Sequence, residues 1–391
     1  MEKKTTRLYF IDAIRAWAIL MMLQGHFIDG LLDTAFRDNA NASYSLWRYF
    51  RGMTAPVFFT VSGFIFTFLL IKSPDVGLDN PRVKKGVKRG IELLCIGYLL
   101  RMNLGGLLVG EIYDSFYLVD VLHCIGFSIL GIIGIYLITS KLNRIWLPAT
   151  FLAITLLLFI AEPLYSKWTY TFLPDAIANY FTKTNGSVFT VFPWFGYATF
   201  GAFVSIIFTK FKNAKHLYTL AISTAMALGL SLIFFSSDLF LAFSRFTGIQ
   251  LFADIYFNNY LFIRLGDVFI AFAFFMLLRQ WLTNKTLLKI GQSTLSIYVI
   301  HFIILYGSFT GLGLYQYFHH SLPPTLVIFG AIAFMIACSF SALLYEKHKL
   351  ELKAFIHKTV KNVWMRLEPS LKYAFSRTRQ LLLKLFGIVK N

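Results

Sequence analysis

This chain predicts an all-α, polytopic integral membrane protein, and three observations carry that reading. Composition comes first: of 391 residues, 57% are hydrophobic and only 14% are charged, where soluble domains run near 45–50% and about 25%. Second, ten apolar stretches are long enough, or nearly so, to cross a hydrocarbon core of about 30 Å. They lie near residues 8–28, 53–71, 90–109, 117–138, 146–161, 188–208, 217–236, 259–280, 291–309 and 324–345. Third, the basic residues alternate between the connecting segments. With a cytoplasmic N-terminus, 28 Lys and Arg fall on the cytoplasmic side and 6 on the other, the bias that orients membrane proteins. The expectation is about ten transmembrane helices with both termini cytoplasmic. The net charge of +18 then reports orientation, and no nucleic-acid partner is expected.

The first span carries charge where a membrane helix should carry none. Asp12, Arg15, Gln24 and His26 all fall inside it. Charged groups at membrane depth cost roughly 2.5–3.5 kcal/mol each on insertion scales, and they are kept where they face a protein interior or a wet path. Arg15 and His26 are eleven positions apart, which at about 100° per residue returns to nearly one helix face, with roughly 16 Å between them. Asp12 lies one turn before Arg15. The expectation is a lined path with an ion pair at one end and an imidazole at the other. The duller readings are a structural Asp12–Arg15 pair and a His26 that caps a helix end.

The second span contains Ser62-Gly63, a small pair suited to close helix packing. Lys84, Lys85, Lys88 and Arg89 precede the third span, and Arg101 sits near its far end, where a long side chain can snorkel. The fourth span opens with Asp120 and His123, one turn apart at the level expected of His26. They are read either as groups that orient His26 or bind a substrate, or as an interfacial hydrogen-bonded pair. The fifth span is the shortest. Arg264 and Asp267 enter the eighth span one turn apart; a local ion pair on one face explains them as well as a binding role does. His301 lies in the middle of the ninth. The three imidazoles His26, His123 and His301 lack the i, i+4 spacing of metal-binding helices, so no metal is expected. Cys95, Cys124 and Cys338 fall in separate spans, with no disulfide framework. The first span is too long and too charged for a cleavable signal peptide.

The domain division expected is 1–345 for the membrane region and 346–391 for a basic amphipathic cytoplasmic tail. Leu352, Phe355, Ile356, Val363, Trp364 and Leu367 recur at helical spacing, with Lys353, Lys358 and Lys361 between them. Pro369 then breaks the pattern, and a second apolar-basic stretch runs to Val389. The expected pair of helices suits an anionic membrane surface.

Several of these pieces together resemble a known family. The segment Arg7-Leu-Tyr-Phe-Ile-Asp12-Ala-Ile-Arg15-Ala with Gly25-His26 is similar to the first helix of membrane acyltransferases. Thr54-Ala-Pro-Val-Phe-Phe-Thr-Val-Ser-Gly-Phe64 resembles their Phe-Phe-x-x-Ser-Gly-Phe stretch. Asp120-Val-Leu-His123-Cys-Ile-Gly126 and Gly291-Gln-Ser-Thr-Leu-Ser-Ile-Tyr-Val-Ile-His301 also fit. The chain most resembles bacterial proteins with the catalytic domain of heparan-α-glucosaminide N-acetyltransferase; the acyltransferase-3 family is a cousin. The resemblance implies transfer of an acyl group, usually acetyl, from cytoplasmic acyl-CoA to a hydroxyl or amine of a glycan-like acceptor across the bacterial inner membrane.

On that reading His26, with Asp120 and His123, forms the catalytic group, as general base or as acyl relay. Arg15, Asp12, Lys85, Lys88 and Arg89 hold the polyanionic acetyl-CoA, and Arg264, Asp267 and His301 meet the acceptor. Membrane lipids are the remaining expected partners, and an oligomer is compatible with the sequence. The alternative is a proton-coupled secondary transporter through Asp12, Arg15, His26, Asp120 and Asp267. The inverted repeats and paired broken helices of that class are not legible here. A purely lipid-organising protein leaves the cost of so many buried charges unexplained.

Overall fold

The computed structural model describes residues 8–385. Lys3, Lys4 and Arg7 of the basic N-terminus, and the tail beyond Leu385 including Val389, lie outside the described residues. Among those described, the main elements are α1 (Tyr9–Leu31), α2 (Ala42–Ile71), α3 (Pro81–Arg101), α4 (Val121–Thr139), α5 (Trp146–Ile160), α6 (Val191–Phe211), α7 (Leu217–Thr247), α8 (Tyr260–Leu277), α9 (Lys285–Gln292), α10 (Thr294–Tyr306) and α11 (Pro324–Leu385).

Each of the ten apolar stretches falls on a helix, but fewer than ten pass as spans by length and composition. Seven do, and α9 with α10, bent by 71° at their junction, makes an eighth if the pair is one span. Of the other two, α5 has only 15 residues. The first half of α3 is Pro-Arg-Val-Lys-Lys-Gly-Val-Lys-Arg, too charged for the hydrocarbon region.

The chain divides into two compact units, Met1–Ser339 and Phe340–Asn391. The first is built on α1 and α2. Phe10, Ile11, Ile14, Ala18, Ile19 and Leu23 of α1 are almost wholly buried, and this helix packs on α2, α8, α9 and α10. Two backbone-to-backbone approaches lock the centre. A Cβ on Gly63 would stand 1.9 Å from the Ala198 carbonyl oxygen, and one on Gly201 would stand 1.9 Å from that of Thr60. Small residues let α2 and α6 meet this closely, as expected of the Ser62-Gly63 pair. Gly291 of α9 rests in the same manner against the Asp12 carbonyl of α1.

The second unit is helical over its described part. Leu352, Ile356, Val363, Trp364 and Leu367 are exposed there. Pro369 does not end the helix as expected; it lies inside α11. Its missing N–H forfeits the bond to the Met365 carbonyl, and good helix formers on both sides carry the helix past it. The division into a membrane region 1–345 and a tail from 346 stands as a proposal, since α11 runs without a break through both positions.

Candidate active site

His26 lies in the second half of α1. Four residues before it is Met22 and three after it Asp29, so all three share one face, and all three line a cavity of about 950 Å³. The other walls come from Arg51 and Thr54 of α2, Arg101 at the end of α3, Asp120 at the start of α4, and Tyr298, Phe302 and Tyr306 of α10. Tyr298, Phe302 and Tyr306 follow one another every four residues, a single stripe facing the cavity.

The imidazole of His26 is fixed at one nitrogen. Nδ1 lies 2.8 Å from the Tyr306 hydroxyl oxygen. Nε2 makes no hydrogen bond among the described residues. Beside it, Asp29 pairs with the Arg51 guanidinium. Arg37 donates to the backbone carbonyls of Asp29 and Leu32 at the end of α1, where a cation complements the helix dipole.

Asp120 caps α4. Its carboxylate accepts from the Leu122 N–H at 3.1 Å and from Arg101 Nε at 3.2 Å. His123 Nδ1 is 3.1 Å from Asp120 Oδ1 and 3.2 Å from the Asp120 backbone nitrogen, closing a reciprocal cap on the first turn. The structure thus brings Asp120 to the cavity wall, within electrostatic reach of His26. His123 does not line it. It is fully buried, pressed against Gly97, where a Cβ would come within 2.6 Å of the ring, and it meets the cavity wall at Asp120.

His301 also stands behind the wall. It is fully buried, and its ring centre is 5.4 Å from that of His26. Arg264 and Asp267 are farther back. Asp267 accepts from Arg264 Nη1 at 2.8 Å and from the Tyr49 hydroxyl at 2.6 Å, while the guanidinium stacks over Tyr49, 4.6 Å from its centre. This closed group ties α8 to α2. It borders the cavity at Gly52, a wall residue against which Arg264 is packed.

Arg15 occupies separate surroundings from His26, contrary to the expected continuous path. Its Nη2 donates to Thr294 Oγ1 at 3.0 Å, and Nη1 is 3.9 Å from Asp12 Oδ1. Gln292 Nε2 reaches Asp12 Oδ2 at 3.4 Å. Between Arg15 and Met22 on α1 stand Ala18 and Ile19, both 0% exposed. Their side chains pack tightly where a passage would have to run, and Arg15 is not part of the cavity lining. Arg89 of α3 is within electrostatic reach of Arg15 and is 3.6 Å from Glu92. Lys85 and Lys88 are exposed; Lys88 borders a shallow, mostly apolar groove along α3 with Lys84, Val87 and Ile91. Among the described residues no group of three or more His, Cys, Asp or Glu is arranged to hold a metal ion.

Sequence reasoning missed Tyr306, Asp29 and Arg51. Asp29 had a legible signal, since it lies one turn after His26 on the same face. Tyr306 is 280 residues away, and nothing local marks it.

Residues 7–237 match the family model for the catalytic region of heparan-alpha-glucosaminide N-acetyltransferase. No curated protein matches the chain by sequence. The matched segment covers more than half of the chain and carries α1, α2 and α4, the helices that bring His26, Arg51 and Asp120 to one cavity. The chain therefore belongs to the heparan-alpha-glucosaminide N-acetyltransferase catalytic-domain family and is a membrane enzyme of the acetyltransferase type.

Proposed function

We propose that this chain moves an acyl group, acetyl first among them, from cytoplasmic acyl-CoA to a hydroxyl or amine of a glycan-like acceptor on the opposite face of a bacterial inner membrane. The observation that carries the reading is His26: an imidazole on a charged cavity of about 950 Å³, held at Nδ1 by Tyr306, with Nε2 left for chemistry.

When Nδ1–H donates to Tyr306, the lone pair on Nε2 faces the cavity. It takes the proton of the attacking acceptor as oxygen or nitrogen bonds to the thioester carbonyl carbon. The tetrahedral intermediate then expels the CoA thiolate, which recovers that proton from the imidazolium. In the relay form, Nε2 itself attacks and CoA leaves as the thiolate; the acceptor's oxygen or nitrogen then takes the acyl group from the acyl-imidazolium, and the proton it loses converts the thiolate to the thiol. Arg51 supplies positive charge near the developing oxyanion. Asp120, oriented by His123 and Arg101, steadies the imidazolium across the cavity.

At the other end, Arg15 and Arg89 are two guanidinium groups within electrostatic reach of each other. An anion between them relieves that repulsion, and the phosphates of acyl-CoA supply it. Lys85 and Lys88 extend the cationic approach, and Asp12 holds Arg15 in place. The Ala18–Ile19 packing must open for the donor's acyl end to reach His26. Arg264 and Asp267 support the acceptor wall from behind Gly52.

The test uses purified protein in lipid vesicles with radiolabelled acetyl-CoA, and glucosamine and N-acetylglucosamine as probe acceptors. Label on glucosamine alone marks amine transfer, and label on both marks hydroxyl transfer. A His26→Ala protein that keeps full transfer activity overturns the assignment.

A further inference from the structure

The most informative buried group left over by this scheme is His301. Its Nδ1 hydrogen bonds the carbonyl oxygen of Tyr298, one turn earlier on α10. A carbonyl can only accept, so Nδ1 carries the proton and Nε2 carries a lone pair. That nitrogen is buried and has no hydrogen-bond partner among the described residues, which native interiors avoid. Groups with protons to give pack around the ring: its centre is 4.8 Å from that of Tyr298, 5.4 Å from that of His26 and 6.4 Å from that of Tyr306.

Tyr306 has a single hydroxyl proton and two imidazoles to serve. If that proton points to His26 Nδ1, His26 becomes the Nε2–H tautomer, and the cavity faces a donor rather than a base. If it points toward His301, the hydroxyl oxygen accepts from His26 Nδ1–H, and Nε2 of His26 is bare. We propose that His301 is a positioning residue that decides between these two states. Its tautomer, fixed by Tyr298, draws the Tyr306 proton toward its own Nε2, through one bridging water or a small rotation of the phenol. That makes His26 the base or nucleophile at the cavity. The chain of donors then runs one way, from His26 through Tyr306 to His301 and on to a carbonyl that cannot reverse it. Each bond in such a row strengthens the next.

The inference rests on the His26 role proposed above, and its test is arranged so the two fail separately. Acetyl transfer from acetyl-CoA to glucosamine is measured for His26→Ala, His301→Phe, His301→Gln, Tyr306→Phe and the double variant His301→Phe/Tyr306→Phe. His301→Phe is expected to lower kcat by about 10- to 100-fold, a share of what a well-placed base contributes, with KM for acetyl-CoA unchanged. His301→Gln, whose amide oxygen accepts where Nε2 did, restores most of the rate. The double variant is no worse than the poorer single one, because both remove the same row of bonds. Equal rates for His301→Phe and wild type overturn the proposal. So does a His301→Gln protein as slow as His301→Phe, or losses that multiply in the double variant. A fully active His26→Ala protein instead removes the reading on which the proposal rests, whatever the His301 variants do.

Discussion

The Tyr306 hydroxyl lies 2.8 Å from His26 Nδ1, joining the first helix of the chain to a residue 280 positions later. This bond joins two walls of the cavity and leaves the other imidazole nitrogen for the proposed reaction. His26→Ala is expected to reduce acetyl transfer by about 10²- to 10⁴-fold, read as release of free CoA thiol. Tyr306→Phe removes one neutral hydrogen bond and costs less, roughly five- to tenfold.

Arg15→Ala is expected to weaken CoA binding by about tenfold or more, the scale of one lost charge-assisted contact, in a calorimetric titration of CoA into the solubilised protein. Normal CoA affinity in a protein that expresses poorly would make Arg15 a structural partner of Asp12 and Thr294 only.

Gly63→Ala puts a methyl group into the Ala198 carbonyl and forces α2 and α6 apart. The cost expected is about 1–3 kcal/mol, as for other overpacked contacts, measured as a lower midpoint in detergent thermal unfolding. Ser62→Ala removes only a bond to the Phe58 carbonyl of its own helix and should move the midpoint little.

Glu162 begins a short helix after α5, and burial holds its carboxyl above the ordinary range, against the opposing pull of Lys183 and a hydrogen bond with Tyr260. A carboxyl raised on folding stabilises the protein below its unfolded pKa of about 4.3. That contribution is lost as pH rises through the folded value. Glu162→Gln should therefore match wild type near pH 4 and unfold at a higher temperature at neutral pH. Parallel midpoint-against-pH curves for the two proteins would contradict this.

The helices were legible because a bilayer allows few solutions: long apolar runs must satisfy their backbone internally. The count was less legible. The apolar stretch 90–109 runs past the end of its helix at Arg101, and α5 has 15 residues, so length and composition alone do not mark either as a span. Pro369 misled because a single missing hydrogen bond does not outweigh strong helix formers on both sides. Within the site, His26 and Asp120 stood out as charge or imidazole at membrane depth, and both line the cavity. The same signal could not separate wall residues from those behind the wall. His123, Arg264 and Asp267 are just as polar and just as buried, and only tertiary packing sorts them. Arg15 shared a helix face with His26, as the spacing required, yet a shared face is not a shared passage when Ala18 and Ile19 fill it.

The partner of His26 also has a bearing on how the molecule could be divided. Tyr306, His301 and Thr294 all follow residue 237, where the family match ends. A fragment trimmed to the matched stretch would keep the imidazole and forfeit the groups that orient it, and Arg15 would lose its threonine at the other end. The proposed catalytic group is thus split along the polypeptide, with His26 inside the matched stretch and Tyr306 beyond it.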